Sequence, residues 1–185
     1  YLASAYLSML VAVAGQQFSL LWLPAGVAAA GIYVLRRRAV APVLFGAVIV
    51  NVIVSGATAA ALLATLVAVG GAIVLATLMR LVPANRDPGG IRPRVEWFGF
   101  CALIGTALTA LCGTLALSVT GAVSPEGTAD RFLYWWMGDL LGVMIAVPLA
   151  IPALEKGGRF FKPTGQSSLK SLWILCVVGL LPTLT

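Results

Sequence analysis

Seven long apolar stretches, separated by short polar or basic turns, make up most of this sequence. A helix needs about 20 mostly apolar residues to cross a bilayer. The sequence therefore predicts an all-α, polytopic integral-membrane helical bundle, with seven spans in this chain and an eighth to follow. The predicted spans are Leu2–Gly15, Leu20–Leu35, Val40–Ser55, Ala57–Val82, Val95–Thr120, Arg131–Ala153 and Leu169–Thr185.

The composition excludes several other classes of protein. Of the 185 residues, 61% are hydrophobic and 10% are charged, whereas soluble domains carry about 25% charged residues. Histidine is absent, which excludes His-ligated metals and a Ser-His-Asp triad. We therefore expect no catalytic residue, no metal and no cofactor in this segment. We interpret residues 1–185 as one membrane-embedded domain, cut from a longer protein at both ends.

The basic residues predict how the spans are oriented. Eleven of the twelve Lys and Arg residues lie in three turns, at 36–38, 80–94 and 156–170, and the positive-inside rule makes these turns cytoplasmic. The seventh span then ends outside, and an eighth span would return the chain to the cytoplasm. Because topology explains the net charge of +6, we expect no nucleic-acid partner. The run Arg36–Arg38 is either a plain topology determinant or a site for anionic lipid head groups.

Asp139 is the acid that lies deepest inside a predicted span, eight residues into the sixth. A charged Asp near the middle of a bilayer costs about 2.5–3.5 kcal/mol on insertion scales. It therefore needs a partner, a water-filled cavity or a proton. Trp135 precedes Asp139 by one helical turn and shares its face. We hypothesise a ligand or ion site around Asp139, and the alternative is a structural acid bonded to neighbouring helices.

Other polar or aromatic residues are predicted at the same depth, in the outer half of the bundle. Each also has a purely structural interpretation. Asn51 could form an interhelical hydrogen bond, Trp136 and Tyr134 could anchor the helix at the membrane interface, and Gln16 and Gln17 could belong to a solvated loop. The candidate ligand-binding or signalling residues are Asp139, Trp135, Trp136, Trp22, Pro24 and Asn51.

Small residues recur every four positions in two spans. Such stripes let helix backbones approach closely in lipid, so we assign Gly138, Gly142, Gly105 and Gly113 to helix packing. The pattern leaves open whether the two stripes face each other or a second subunit.

Two segments resemble the first membrane-associated sensor (MASE) domain family. Residues 22–26 read W-L-P-A-G, similar to the family's W-P-P-A-G, and a basic turn follows them. Residues 135–143 read W-W-M-G-D-L-L-G-V, similar to the family's W-W-x-G-D-x-x-G-V. The chain departs from the family pattern at 56–60, which lacks the Asn and Glu of the G-N-T-x-E stretch.

The resemblance implies a sensory module of about eight helices in the bacterial inner membrane. Such modules precede cytoplasmic histidine kinases or cyclic-di-GMP output domains. The expected partners are the lipid bilayer, a small-molecule ligand or partner membrane protein at the outer pocket, and a second copy joined through the output domain. Two alternatives stay open: a small transporter or channel subunit with Asp139 as its ion or proton site, and an oligomerisation module built on the small-residue stripes.

Overall fold

A computed structural model of the chain describes residues 1–10, 20–81 and 91–155. The described residues form helices and short turns and contain no strand, which confirms the all-α prediction. A single 3-10 turn, Pro125–Gly127, precedes the last helix. The helices are α1 (Leu2–Leu10), α2 (Leu23–Leu35), α3 (Arg37–Ser55), α4 (Ala59–Leu81), α5 (Ile91–Val119) and α6 (Thr128–Glu155).

Four of these helices contain segments long and apolar enough to cross a membrane, and seven spans is more than the structure shows. The four segments are Arg37–Ser55, Ala59–Leu81, Glu96–Val119 and Thr128–Glu155. At 1.5 Å per residue, the 13 residues of α2 extend about 20 Å, less than the roughly 30 Å of a hydrocarbon core. The predicted first span is described only over Leu2–Leu10, and the predicted seventh span lies outside the described residues.

The basic turn between α2 and α3 is shorter than predicted. Only Arg36 leaves the helical conformation, with a φ of 56°, and Arg37 and Arg38 already belong to the first turn of α3. The helix also continues through Pro42, although a proline inside a helix removes a backbone hydrogen bond, here the one to the carbonyl of residue 38. Similarly, α5 begins at Ile91, four residues before the predicted start of its span.

Contacts between residues divide the chain into two compact units, Tyr1–Ile151 and Pro152–Thr185, and the site lies in the first. Two apolar clusters form the core of this first unit. One joins α2, α3 and α4 around Ile32, Ala47 and Val69. The other joins α2, α4, α5 and α6 around Ala29 and Val143. Because α2 contributes to both clusters, this short helix is central to the unit.

The core consists mainly of small side chains, while large apolar ones are exposed. Many of the buried apolar residues are alanines, such as Ala29, Ala30 and Ala47. Phe45 and Leu149, by contrast, are among the most exposed side chains. Small buried residues with large exposed apolar ones are typical of helices that pack closely in lipid.

Candidate functional site: a buried carboxyl on an interhelical cavity

The start of α2 is bonded to two other helices through its backbone. The Trp22 amide donates to the Gly138 carbonyl of α6 at 2.9 Å, and the Leu23 amide donates to Ser8 Oγ of α1 at 2.9 Å. Pro24 follows and has no amide hydrogen to satisfy. These contacts supply partners for amides that a helix start would otherwise leave unpaired.

Two glycines allow this close approach between α2 and α6, because a glycine has no Cβ. A Cβ on Gly142 would lie 2.0 Å from the Trp22 carbonyl oxygen. A Cβ on Gly26 would lie 2.5 Å from the Gly142 carbonyl oxygen. The stripe of small residues on α6 therefore faces α2, and the two sequence segments that carry the family resemblance pack against each other.

The stripe on α5 has different partners at different heights. Gly105 faces Leu75 of α4, with 3.1 Å between the position of a Cβ and Leu75 Cδ1. Gly113 instead faces the indole of Trp135, because a Cβ there would lie 2.3 Å from a ring carbon. Both stripes thus make contacts inside one copy of the chain.

The Trp135 indole links Gly113 to Asp139. Its Nε1 donates a hydrogen bond to Asp139 Oδ2 at 3.1 Å, one helical turn along α6. The Asp139 side chain is 4% exposed. Since the two oxygens of a carboxylate accept about four hydrogen bonds, the single indole N–H leaves acceptor capacity for a further donor.

Asp139 borders a cavity of about 330 Å³. The cavity is lined largely by small residues of α2, α4 and α5, including Ala25, Ala28, Ala64 and Gly71. Asp139 and four aromatic side chains also line it, and these aromatics are Tyr1, Trp22, Tyr134 and Trp135. A mostly apolar cavity with a few polar groups is the usual form of a small-molecule site.

The structure brings four of the six sequence candidates to this one cavity: Trp22, Asn51, Trp135 and Asp139. Asn51 also bonds across helices, because its Nδ2 donates to Thr65 Oγ1 of α4 at 3.1 Å.

The other two sequence candidates have different surroundings. Pro24 is buried at the start of α2. Trp136 donates from Nε1 to the Leu103 carbonyl of α5 at 3.3 Å and stacks on Phe132. Gln16 and Gln17 lie outside the described residues.

Sequence reasoning did not identify several other cavity residues, among them Tyr1, Thr106, Thr109 and Arg131. The two threonines bond to carbonyls of their own helix, Thr106 to Ala102 and Thr109 to Gly105, so each hydroxyl has an acceptor within α5. Two threonines three positions apart on an apolar helix only weakly indicate a cavity. Arg131 is a stronger indication, because it is the one cation that the predicted topology places at an outer turn.

The far end of α2 is held by a charged side chain. Arg80, in the last turn of α4, donates from Nη2 to the Ile32 carbonyl at 2.6 Å and also to the Tyr33 carbonyl. Its guanidinium lies 5.5 Å from the centre of the Tyr33 ring. The Ile32 carbonyl also accepts from the Arg36 amide at 3.0 Å, so the guanidinium is its second donor. A cation beside the last carbonyls of a helix interacts favourably with the negative end of the helix dipole.

These features define a helical membrane protein with a buried acid on an interhelical cavity. The MASE1 family model matches residues 1–185, so the chain belongs to the MASE1 family of membrane-associated sensor domains, and the resemblance predicted from the two motifs is confirmed. Domains of this family are sensory and typically non-catalytic. Comparisons with curated proteins and with solved structures gave no match.

Proposed function

We propose that this chain is a sensory input module that responds to a small molecule or a partner membrane protein at the Asp139 cavity. The observation that carries this proposal is the buried Asp139 carboxyl, bonded by Trp135 and facing a cavity of about 330 Å³. Burying an acid in a membrane helix costs free energy, and acids in that position usually mark a functional site. The carboxyl, the aromatic rings and the small apolar lining suit a compact ligand with one donor or cationic group.

The proposed output is cytoplasmic: a histidine kinase or a cyclic-di-GMP domain, with homodimerisation through that domain. Arg36, Arg37 and Arg38 follow α2, and Arg80 bonds the C-terminal end of the same helix. These basic groups therefore lie at one end of the bundle. The positive-inside rule supports placing that end in the cytoplasm of a bacterial cell, with the protein in the inner membrane.

The proposed mechanism is a change in packing between α5 and α6. Trp135 contacts Gly113 of α5 with its ring and Asp139 with its Nε1. A ligand donor that competes for the carboxyl would alter this contact between the two helices. Binding that favours one of two packed arrangements shifts their populations, and the helices that follow transmit the shift.

The test is Asp139→Asn in the full-length protein, with output activity measured across growth conditions that change the wild-type output. The amide keeps the size of the side chain but cannot ionise. We expect the response to be lost or reduced several-fold while the amount of folded protein is unchanged. Asp130→Asn is the matched control, because Asp130 is exposed in the first turn of α6. An Asp139→Asn protein with a wild-type response range would refute the proposal.

A transporter subunit that uses Asp139 as an ion or proton site is the second candidate, and the cavity beside the carboxyl favours it. Purified protein in liposomes would then carry a flux that Asp139→Asn abolishes. The oligomerisation alternative is weaker, since the glycine stripes contact α2, α4 and Trp135 within the chain.

A further inference from the structure

A second concavity, of about 710 Å³, opens at the break between α2 and α3. Four arginines line it: Arg36, Arg37, Arg38 and Arg80. The first three side chains are exposed. It lies at the opposite end of α2 from the Trp22 contacts with α6, so it is separate from the Asp139 site.

The charges around this concavity call for an anion. Arg37 and Arg38 occupy the first turn of α3, at the positive end of the helix dipole, where cations are unfavourable. No side chain caps the start of α3. The Ala39 amide donates to the Arg36 carbonyl at 3.1 Å, so the first-turn amides that remain for a ligand are those of Arg37 and Arg38. In the part of the chain that the structure describes, Arg36, Arg37 and Arg38 form no ion pair with an acidic residue. A bound phosphate group would meet both the guanidinium groups and the amides.

The remaining wall of the concavity is apolar. Val34, Leu35, Val40 and Ile73 line it beside the arginines, and Leu35 and Ile73 are exposed. A free phosphate would leave these side chains uncovered. A molecule that carries a phosphate next to hydrocarbon would cover both parts of the wall.

We propose that this concavity binds an anionic phospholipid, with its phosphate on Arg37 and Arg38 and its acyl chain along Leu35 and Ile73. The position suits a lipid, because the arginines mark the ends of apolar helices and each basic group near an anionic leaflet adds to the attraction. One bound lipid would contact α2, α3 and α4 together. It would thereby hold the one-residue break at Arg36 in place.

The test compares lipid retention and unfolding temperature in nanodiscs of phosphatidylcholine alone and with about 20% phosphatidylglycerol. Native mass spectrometry should show phosphatidylglycerol retained on the purified full-length protein, and the unfolding temperature should rise in the mixed discs. Arg37→Gln with Arg38→Gln should weaken retention about tenfold or more and abolish the rise. Arg37→Lys with Arg38→Lys, which keeps both charges, should retain most of the effect.

A second variant tests the apolar half without changing charge. Ile73→Trp should fill the hydrocarbon part of the concavity and reduce lipid retention while all four arginines stay. It keeps the proposal testable if the double Gln variant does not fold. The proposal is overturned if either folded variant retains phosphatidylglycerol as the wild type does. It is also overturned if millimolar glycerol phosphate in pure phosphatidylcholine discs raises the unfolding temperature as much, because the occupant would then be a soluble anion.

Discussion

At its N-terminal end α2 touches α6 through backbone atoms, whereas at its C-terminal end it is held by the long side chain of Arg80. The first contact depends on absent side chains, because Gly26 and Gly142 have no Cβ where the two backbones meet. The second depends on a present side chain, which donates to the Ile32 and Tyr33 carbonyls. One 13-residue helix is thus fixed by steric fit at one end and by charge-assisted hydrogen bonds at the other.

The two ends should respond differently to change. A backbone contact cannot relax by rotating a side chain, so any added atom must separate the helices. A guanidinium contact can adjust, and water or lipid head groups can replace it in part. We therefore expect the N-terminal end of α2 to be the less tolerant one, and the following variants test this difference.

The largest effect is expected for Gly142→Ala. Its new Cβ would lie 2.0 Å from the Trp22 carbonyl oxygen, so we expect the free energy of unfolding to fall by about 2–3 kcal/mol. Denaturant titration in detergent measures it. Gly70→Ala is the matched control, because a Cβ there meets nothing within 4 Å and should be neutral or stabilising by up to about 1 kcal/mol. Equal effects of the two substitutions would mean that the close α2–α6 contact does not exist.

The next effect is expected for Arg80→Leu at the other end of α2. The substitution removes the guanidinium donor from the Ile32 and Tyr33 carbonyls, although Ile32 keeps its bond from the Arg36 amide. We expect a loss of about 1–2 kcal/mol in unfolding free energy. Arg80→Lys should recover part of it, since it keeps a positive charge at the end of α2 but lacks the planar fork of donors. A Leu variant as stable as the wild type would contradict the capping role.

A smaller effect is expected for Gly113→Ala. A Cβ there would lie 2.3 Å from the Trp135 ring, but a side chain can move where a backbone cannot. We expect a cost of about 1 kcal/mol and a shift in tryptophan fluorescence as the indole moves away from Asp139. Gly99→Ala on the same helix meets nothing within 4 Å, so it should leave the fluorescence unchanged and be neutral or stabilising by up to about 1 kcal/mol. If Gly113→Ala costs as much as Gly142→Ala, the distinction between backbone and side-chain contacts fails.

The smallest effect is expected for the Asn51–Thr65 hydrogen bond, which joins α3 to α4 and involves no residue of α2. A double-mutant cycle with Asn51→Leu and Thr65→Val should give a coupling of about 0.6 kcal/mol, typical of hydrogen bonds between membrane helices. A coupling above about 2 kcal/mol would mean that a contact without α2 stabilises the unit as much as the contacts at the two ends of α2 do.

The sequence predicted the all-helical fold and the shared helix face of Trp135 and Asp139, because both depend on local information. Runs of apolar residues specify helices in lipid, and the spacing of Trp135 and Asp139 specifies a shared face. The family motifs were also readable as residue patterns. The sequence did not predict how Trp22 meets Gly138 and Gly142, since a stripe with a period of four residues does not encode its partner.

Two other features depend on details that a pattern does not contain. The break at Arg36 is one residue long, and three consecutive arginines gave no reason to choose which one leaves the helix. The cavity beside Asp139 depends on the distances between helices. Those distances follow from contacts such as Gly71 with Thr109 and Gly105 with Leu75, which form only in the assembled bundle.

The order of residues along α6 gives the contact with α2 a direction. Gly138, Gly142 and Ala146 follow one another on the same face, and the Trp22 carbonyl now lies over Gly142. A slide of α6 by four residues, about 6 Å, would bring Gly138 beneath that carbonyl in one sense and the methyl group of Ala146 in the other. Ala146 carries a methyl group where Gly142 carries only hydrogen, so the second displacement would press that methyl group against the Trp22 carbonyl. The contact therefore resists the sliding of α6 in that direction.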